Sequence, residues 1–202
     1  MKKQAIGVFI LVFLFLYSWS PLARADAVTD WNTTAVQALV AATPPRPGPI
    51  IFLDLAIVQA AVHDAVQAID KRFEPYHVTV PNASGSPVAA AAKAAHDVLV
   101  NIVPSQATAL DTQYTDHLTS QGLSASDPGV EVGRQAAVGI LALRANDGRV
   151  PNPLPPAFTG GTAPGEWRPT PSNPPEGPPP SNAPMAPPWL RAVPPFTLVT
   201  GD

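Results

Sequence analysis

The sequence predicts an all-α fold, a bundle of about five helices followed by a long proline-rich irregular segment. Three observations carry that prediction. Windows of helical character with recognisable cap residues recur between residues 26 and 149. No stretch combines strand alternation with hairpin signals. More than half of the chain's 27 prolines fall from Val150 onward, where a fixed φ and a missing N–H exclude both helix and central strand.

The first helix is expected from Asp26 to Ala42, ended by Thr43-Pro44-Pro45-Arg46-Pro47-Gly48-Pro49, since proline removes donors from the helical ladder. Ile50 to Asp70 reads as a long second helix. Nearly all of it is apolar apart from a narrow line of Gln59, His63, Gln67 and Asp70, and a helix apolar on most sides belongs in the middle of a bundle.

Ser86 is placed to cap a third helix, with Pro87 at its first position and Pro104 beyond its end near Val103. Alanines 89 to 92, 94 and 95 favour close backbone approach there, and Lys93, His96, Asp97 and Asn101 read as a solvated face. A fourth helix is expected from Ser105 to a stop at Gly122, and a fifth from Asp127-Pro128 to Asn146-Asp147-Gly148. Glu131 would lie near the positive end of the fifth.

From residue 150 to 202, Phe158, Trp167, Met185, Trp189, Leu190 and Phe196 recur among the prolines. Such apolar groups are wasted in a solvated linker, so the segment reads as an extended crossover lying against the helices rather than a disordered tail.

At 202 residues without cysteine, the chain has length for one sizeable core and no disulfide or thiolate chemistry. Residues 1–25 read as a secretory signal: Lys2 and Lys3 form the basic end, Ile6 to Leu16 the apolar run, and Ala23-Arg24-Ala25 the cleavage site. The expectation is export to a periplasmic or extracellular space, with no stable membrane span after cleavage, because the run falls short of the roughly 20 apolar residues a bilayer requires.

Cleavage removes three bases and no acid, taking the formal charge from −3 to −6. An acidic chain is a poor partner for nucleic acid, whose affinity rests on phosphate neutralisation. Asn32-Thr33-Thr34 and Asn82-Ala83-Ser84 match the glycosylation pattern and matter only in a glycosylating host.

Two His-Asp dipeptides stand out, His63-Asp64 and His96-Asp97. Adjacent helical residues point about 100° apart, so neither pair closes on one metal by itself. His63, His77, His96 and His117 lack the i, i+4 pairing of helical zinc sites. Asp64, among Ala60, Ala61, Ala65 and Ala68, is expected to point inward and to find a partner, an arginine or a neighbouring helix end, with support of an active site as the sharper reading. Arg144, Arg149 and Arg168 suit an anion by their planar donors, but without fixed geometry they read as surface charges. Neither a Gly-x-Ser-x-Gly elbow nor a phosphate-cradling glycine loop is present.

Four segments in order, Ala61-Val62-His63-Asp64-Ala65-Val66, Leu143-Arg144-Ala145-Asn146-Asp147-Gly148, Gly165-Glu166-Trp167-Arg168-Pro169-Thr170-Pro171 and Pro194-Pro195-Phe196-Thr197-Leu198, give the chain its resemblance. From about residue 26 onward it resembles the N-terminal half of exported proteins related to vanadium-dependent haloperoxidases, within the type 2 phosphatidic acid phosphatase superfamily. The resemblance implies a large helical bundle holding an oxyanion, vanadate as a peroxidase cofactor or phosphate as a substrate.

The family's three anion-binding motifs are a lysine seven residues before Arg-Pro, Pro-Ser-Gly-His, and Ser-Arg with a histidine six residues on. None occurs here: Leu39 stands at the lysine position before Arg46-Pro47 and Gly161 before Arg168-Pro169. No catalytic, cofactor-binding or metal residue is therefore assigned, and vanadate is expected only in a full-length relative. The chain is expected to be the N-terminal helical part of such a protein, inactive alone and partnered by a missing C-terminal half or another polypeptide. The alternative is a secreted binding or scaffold module with a proline-rich docking tail.

Overall fold

The computed structural model describes residues 26–153, 155, 156, 158, 160–168 and 187–198. The expected signal segment, Met185 and the Pro169–Pro171 end of the segment Gly165–Pro171 lie outside the described residues. Five α-helices and two short 3-10 helices form the described part, with no strand among those residues.

Helix α1 (Ala27–Val40) starts where Asp26 accepts the Thr29 amide at 2.9 Å, and it buries Ala27, Trp31, Ala35, Ala38 and Leu39 on one stripe. It ends two residues before the expected Ala42. Helix α2 (Gly48–Asp70) begins two residues earlier than Ile50, with Pro49 in its first turn, where a missing N–H costs nothing. Lys71, at φ 55°, closes it in the left-handed conformation, and Gln67 Oε1 accepts the amides of Arg72 and Phe73 at 3.2 and 2.8 Å.

Helix α3 (Pro87–Ile102) carries the Ser86 cap and the Pro87 start that its sequence predicts. The fourth helix starts not at the expected Ser105 but at Ala107. The Ser105 hydroxyl accepts the Thr43 amide at 3.1 Å and Gln106 bonds the Ala41 carbonyl at 3.0 Å, so Pro104–Gln106 form a 3-10 turn that ties down the α1–α2 loop.

Helix α4 (Ala107–Ser120) follows and ends in a Schellman turn: Gly122 takes φ 67°, its N–H donates to the Thr119 carbonyl, and that of Leu123 donates to the Leu118 carbonyl. Helix α5 (Pro128–Arg144) is capped by Asp127, whose Oδ1 also accepts the Ser86 amide at 2.8 Å and so joins the starts of α3 and α5.

Helices α2, α3 and α5 pack mutually at the centre, with α1 laid against α2 and α3 and α4 against α3. Their shared core holds Ile57, Val58, Ala61 and Ala65, the α3 alanines, and Ala136, Ala137 and Ile140. The alanines set the spacing. At Gly133 an added Cβ would collide with the Ala90 carbonyl oxygen and Lys93 Cβ, so α3 and α5 meet backbone to backbone. Helix α2 is long and apolar enough to cross a membrane by length and composition. In this fold that composition serves contacts on three sides.

Candidate functional site

A run of alternating charges lies where the start of α2 meets the end of α5. Asp54, fully buried on α2, accepts Arg46 Nε at one carboxylate oxygen and Arg149 Nε at the other, the latter at 3.0 Å. Arg149 Nη1 lies 3.0 Å from Asp147 Oδ1 and bonds the Arg144 carbonyl at 2.8 Å. Asp147 Oδ2 accepts Arg144 Nε at 3.0 Å.

Arg144 then reaches the far segment, donating from Nη1 to the Pro194 carbonyl at 3.0 Å, with its guanidinium 4.2 Å from the Phe196 ring centroid. Its Nη2 is buried without a hydrogen-bond partner among the described residues. Trp189 Nε1 adds a bond to the Arg149 carbonyl at 3.1 Å.

This arrangement corrects two expectations. Arg144 and Arg149 are not surface charges: their side chains are 4% and 13% exposed, because each is needed to neutralise a buried carboxylate. Only Arg168 is exposed as expected. The Asn146-Asp147-Gly148 stop is more than a chain terminator. The helix ends at Arg144, Gly148 turns the chain at φ 76°, and Asp147 faces inward. Asp54 is not singled out in the sequence reading, and Arg46 figures there only in the loop after the first helix and in the unmet Arg-Pro motif. The available signal was a lone carboxylate inside the apolar run Ile50 to Val58.

Asp64 is fully buried, as its alanine surroundings predict. Its partner is neither an arginine nor a helix end. The carboxylate accepts the backbone amides of Tyr76, His77 and Val78 at 2.5, 3.0 and 2.7 Å, moulding the α2–α3 loop around itself. His63 points elsewhere and donates from Nε2 to the Glu74 carbonyl at 3.0 Å. Asp64 thereby positions Tyr76, whose ring lies 6.3 Å from that of Phe196.

The expected solvated face of α3 is also corrected in part. Asn101 is exposed, but His96 is buried, with Nδ1 2.8 Å from Asp97 and Nε2 2.8 Å from Asp111 of α4. Helix α4 covers that face, and Trp31 and Tyr114 pack on the His96 ring.

Burial pulls the Asp97 carboxyl upward, but hydrogen bonds from His96 and Lys93, with their charges, outweigh it and leave the group below its ordinary value. Burial, aided by the Asp97 charge, pushes the Tyr114 phenol up to about 12. At the exposed start of α5, hydrogen bonds from Arg134 and Gln135 draw Glu131 down to about 2. His117 is buried against Trp31, and His77 contributes its backbone amide to Asp64. The four histidines are not brought together, and no group of three or more metal-ligating side chains gathers among the described residues.

The network has no nucleophile poised beside a base. It does not fit vanadate: an oxyanion of that kind is held by several uncompensated donors around one centre, whereas Arg46 and Arg149 are engaged by Asp54 and Asp147. Comparison with protein-family models, with curated proteins and with solved structures finds no match to this chain.

Proposed function

We propose that this chain is the N-terminal helical part of an exported protein related to the vanadium-dependent haloperoxidases and acid phosphatases, and that it is catalytically silent by itself. One observation carries the reading: three of the four segments behind the resemblance meet at one place. Asp64, from Ala61–Val66, shapes the loop that presents Tyr76. Tyr76 lies against Phe196, from Pro194–Leu198. Arg144 and Asp147, from Leu143–Gly148, bond each other and hold the Pro194 carbonyl.

These segments, far apart in the chain, form one packing unit here, and the unit joins the helices to the Pro194–Phe196 stretch. Both carboxylates of the charged network are spent on pairing its arginines, and the reading agrees with the missing lysine, Pro-Ser-Gly-His and Ser-Arg motifs. The partner of this half is then a C-terminal half or a second polypeptide that carries the oxyanion. Helix α2 leaves Phe52 74% exposed and α5 leaves Val138 54% exposed, apolar surface such a partner would cover.

The test is the intact mass of the mature protein from its source, together with assays of purified residues 26–202. A mass well above that of residues 26–202 and no vanadate-dependent halide oxidation or phosphatase turnover is the expected result. Turnover above buffer by residues 26–202 overturns the silent half. A matching mass, with rapid proteolytic loss of residues 150–202 from intact helices, replaces it with a secreted docking module.

A further inference from the structure

Among the described residues the charged network leaves one positive charge over, since Arg46, Arg149 and Arg144 face Asp54 and Asp147. Its two ends differ. The Arg46 side chain is 16% exposed and meets water, whereas that of Arg144 is 4% exposed and keeps an unpartnered Nη2. Arg144 is already paired with Asp147, so what is unmet there is the Nη2 donor, and a buried donor without an acceptor is costly.

Arg144 also lines a cleft of about 360 Å³ with Tyr76, Leu143, Asn146, Pro194 and Pro195 among its walls. The polar groups of its lining are the Arg144 guanidinium, the Asn146 amide, the Asp147 carboxylate and the Tyr76 hydroxyl, and the Tyr76 ring, Leu143 and the two proline rings are apolar.

We propose that this cleft binds a small carboxylate with an apolar body, its carboxylate seated on Arg144 Nη2 and its body between Tyr76, Leu143 and the two prolines. The Asp147 carboxylate at the cleft does not oppose this, because Arg144 Nε and Arg149 Nη1 already neutralise it. A single available donor suits one carboxylate oxygen rather than the several oxygens of a phosphate. Nη2 is shielded from solvent, so the ligand reaches it only as the cleft wall around Arg144 yields. The site lies outside the oxyanion chemistry of the proposed relatives and stands or falls separately from that relationship.

The test is a titration of residues 26–202 with benzoate at constant ionic strength, followed by calorimetry and by amide NMR, against benzyl alcohol as the neutral isostere and sulfate as a bulky oxyanion. Expected are saturable benzoate binding with shifts at Tyr76, Asn146 and Phe196, and about tenfold or more weaker binding of benzyl alcohol and sulfate. Arg144→Lys should weaken benzoate by a similar factor.

Asn146→Asp is the second variant, because Asn146 is exposed and the substitution puts a negative charge at the cleft without disturbing the core. It should lower benzoate affinity and leave benzyl alcohol unchanged. Equal binding of benzoate and benzyl alcohol, no saturable binding, or unchanged affinity in Asn146→Asp overturns the proposal.

Discussion

Arg149 bonds Asp54 at 3.0 Å across 95 positions of the chain, fastening the segment after α5 to the first turns of α2. Asp54 is fully buried and takes a second guanidinium from Arg46, so one carboxylate holds two loops. Removing it leaves two cations facing each other in a poorly solvated place.

Asp54→Ala should therefore cost about 3–5 kcal/mol, the range for breaking a buried ion pair by deleting one partner. Urea denaturation monitored by circular dichroism measures it. An unchanged midpoint would mean that water replaces the carboxylate and that the network contributes little to stability.

Asp64→Asn keeps the shape but offers one acceptor oxygen where three amides now converge on two. The loss should be about 1.5–3 kcal/mol, the scale of a hydrogen bond to a charged group. Amide exchange at Tyr76, His77 and Val78 should accelerate more than exchange in α3. Uniform acceleration across the chain would show that Asp64 supports global stability rather than this loop.

The Asp97 carboxyl, held below its ordinary 3.8 in the fold, gives stability a defined acid limb. A depressed folded-state value means that its contribution is fully present above the unfolded value and is lost as pH falls through the folded one. The loss should begin near pH 4 and deepen below it, and Asp97→Asn should flatten that limb. The same substitution removes the charge that helps hold Tyr114 near 12. In an ultraviolet titration of the folded protein, the midpoint of Tyr114 should then fall but stay above its ordinary value, because burial, the larger cause, remains.

Gly133→Ala places a methyl group against the Ala90 carbonyl oxygen and Lys93 Cβ. Neither helix backbone can yield without separating α3 from α5, so the substitution should destabilise by about 1–3 kcal/mol despite alanine's better helix propensity. Thermal unfolding checks the sign. A stabilised variant would show that the two helices slide apart freely.

Much of the helical frame was legible because its signals are local. Asp26, Ser86 and Asp127 each sit just before a helix and accept an amide two or three residues on, an interaction written within one turn of chain. Pro87 and Pro128 start helices for the same reason, and Gly122 ends one because φ 67° favours a residue without Cβ. The exception is the expected start at Ser105: the residue lies in a 3-10 turn, its hydroxyl accepts the Thr43 amide 62 positions away, and the α-helix begins at Ala107.

By itself, then, the sequence determined the all-α class, the helix ends that depend on near neighbours, the alanine-lined centre, and the need of Asp64 for a partner. Tertiary structure alone decided who the partners are: loop amides for Asp64, two arginines for Asp54, Asp111 for His96, and Asp147 with the Pro194 carbonyl for Arg144. Desolvation obliges a buried charge to be paired whatever the fold. The choice of partner depends on which helices and loops arrive at the same point in space, and that is set by packing over the whole chain rather than by any local run of residues.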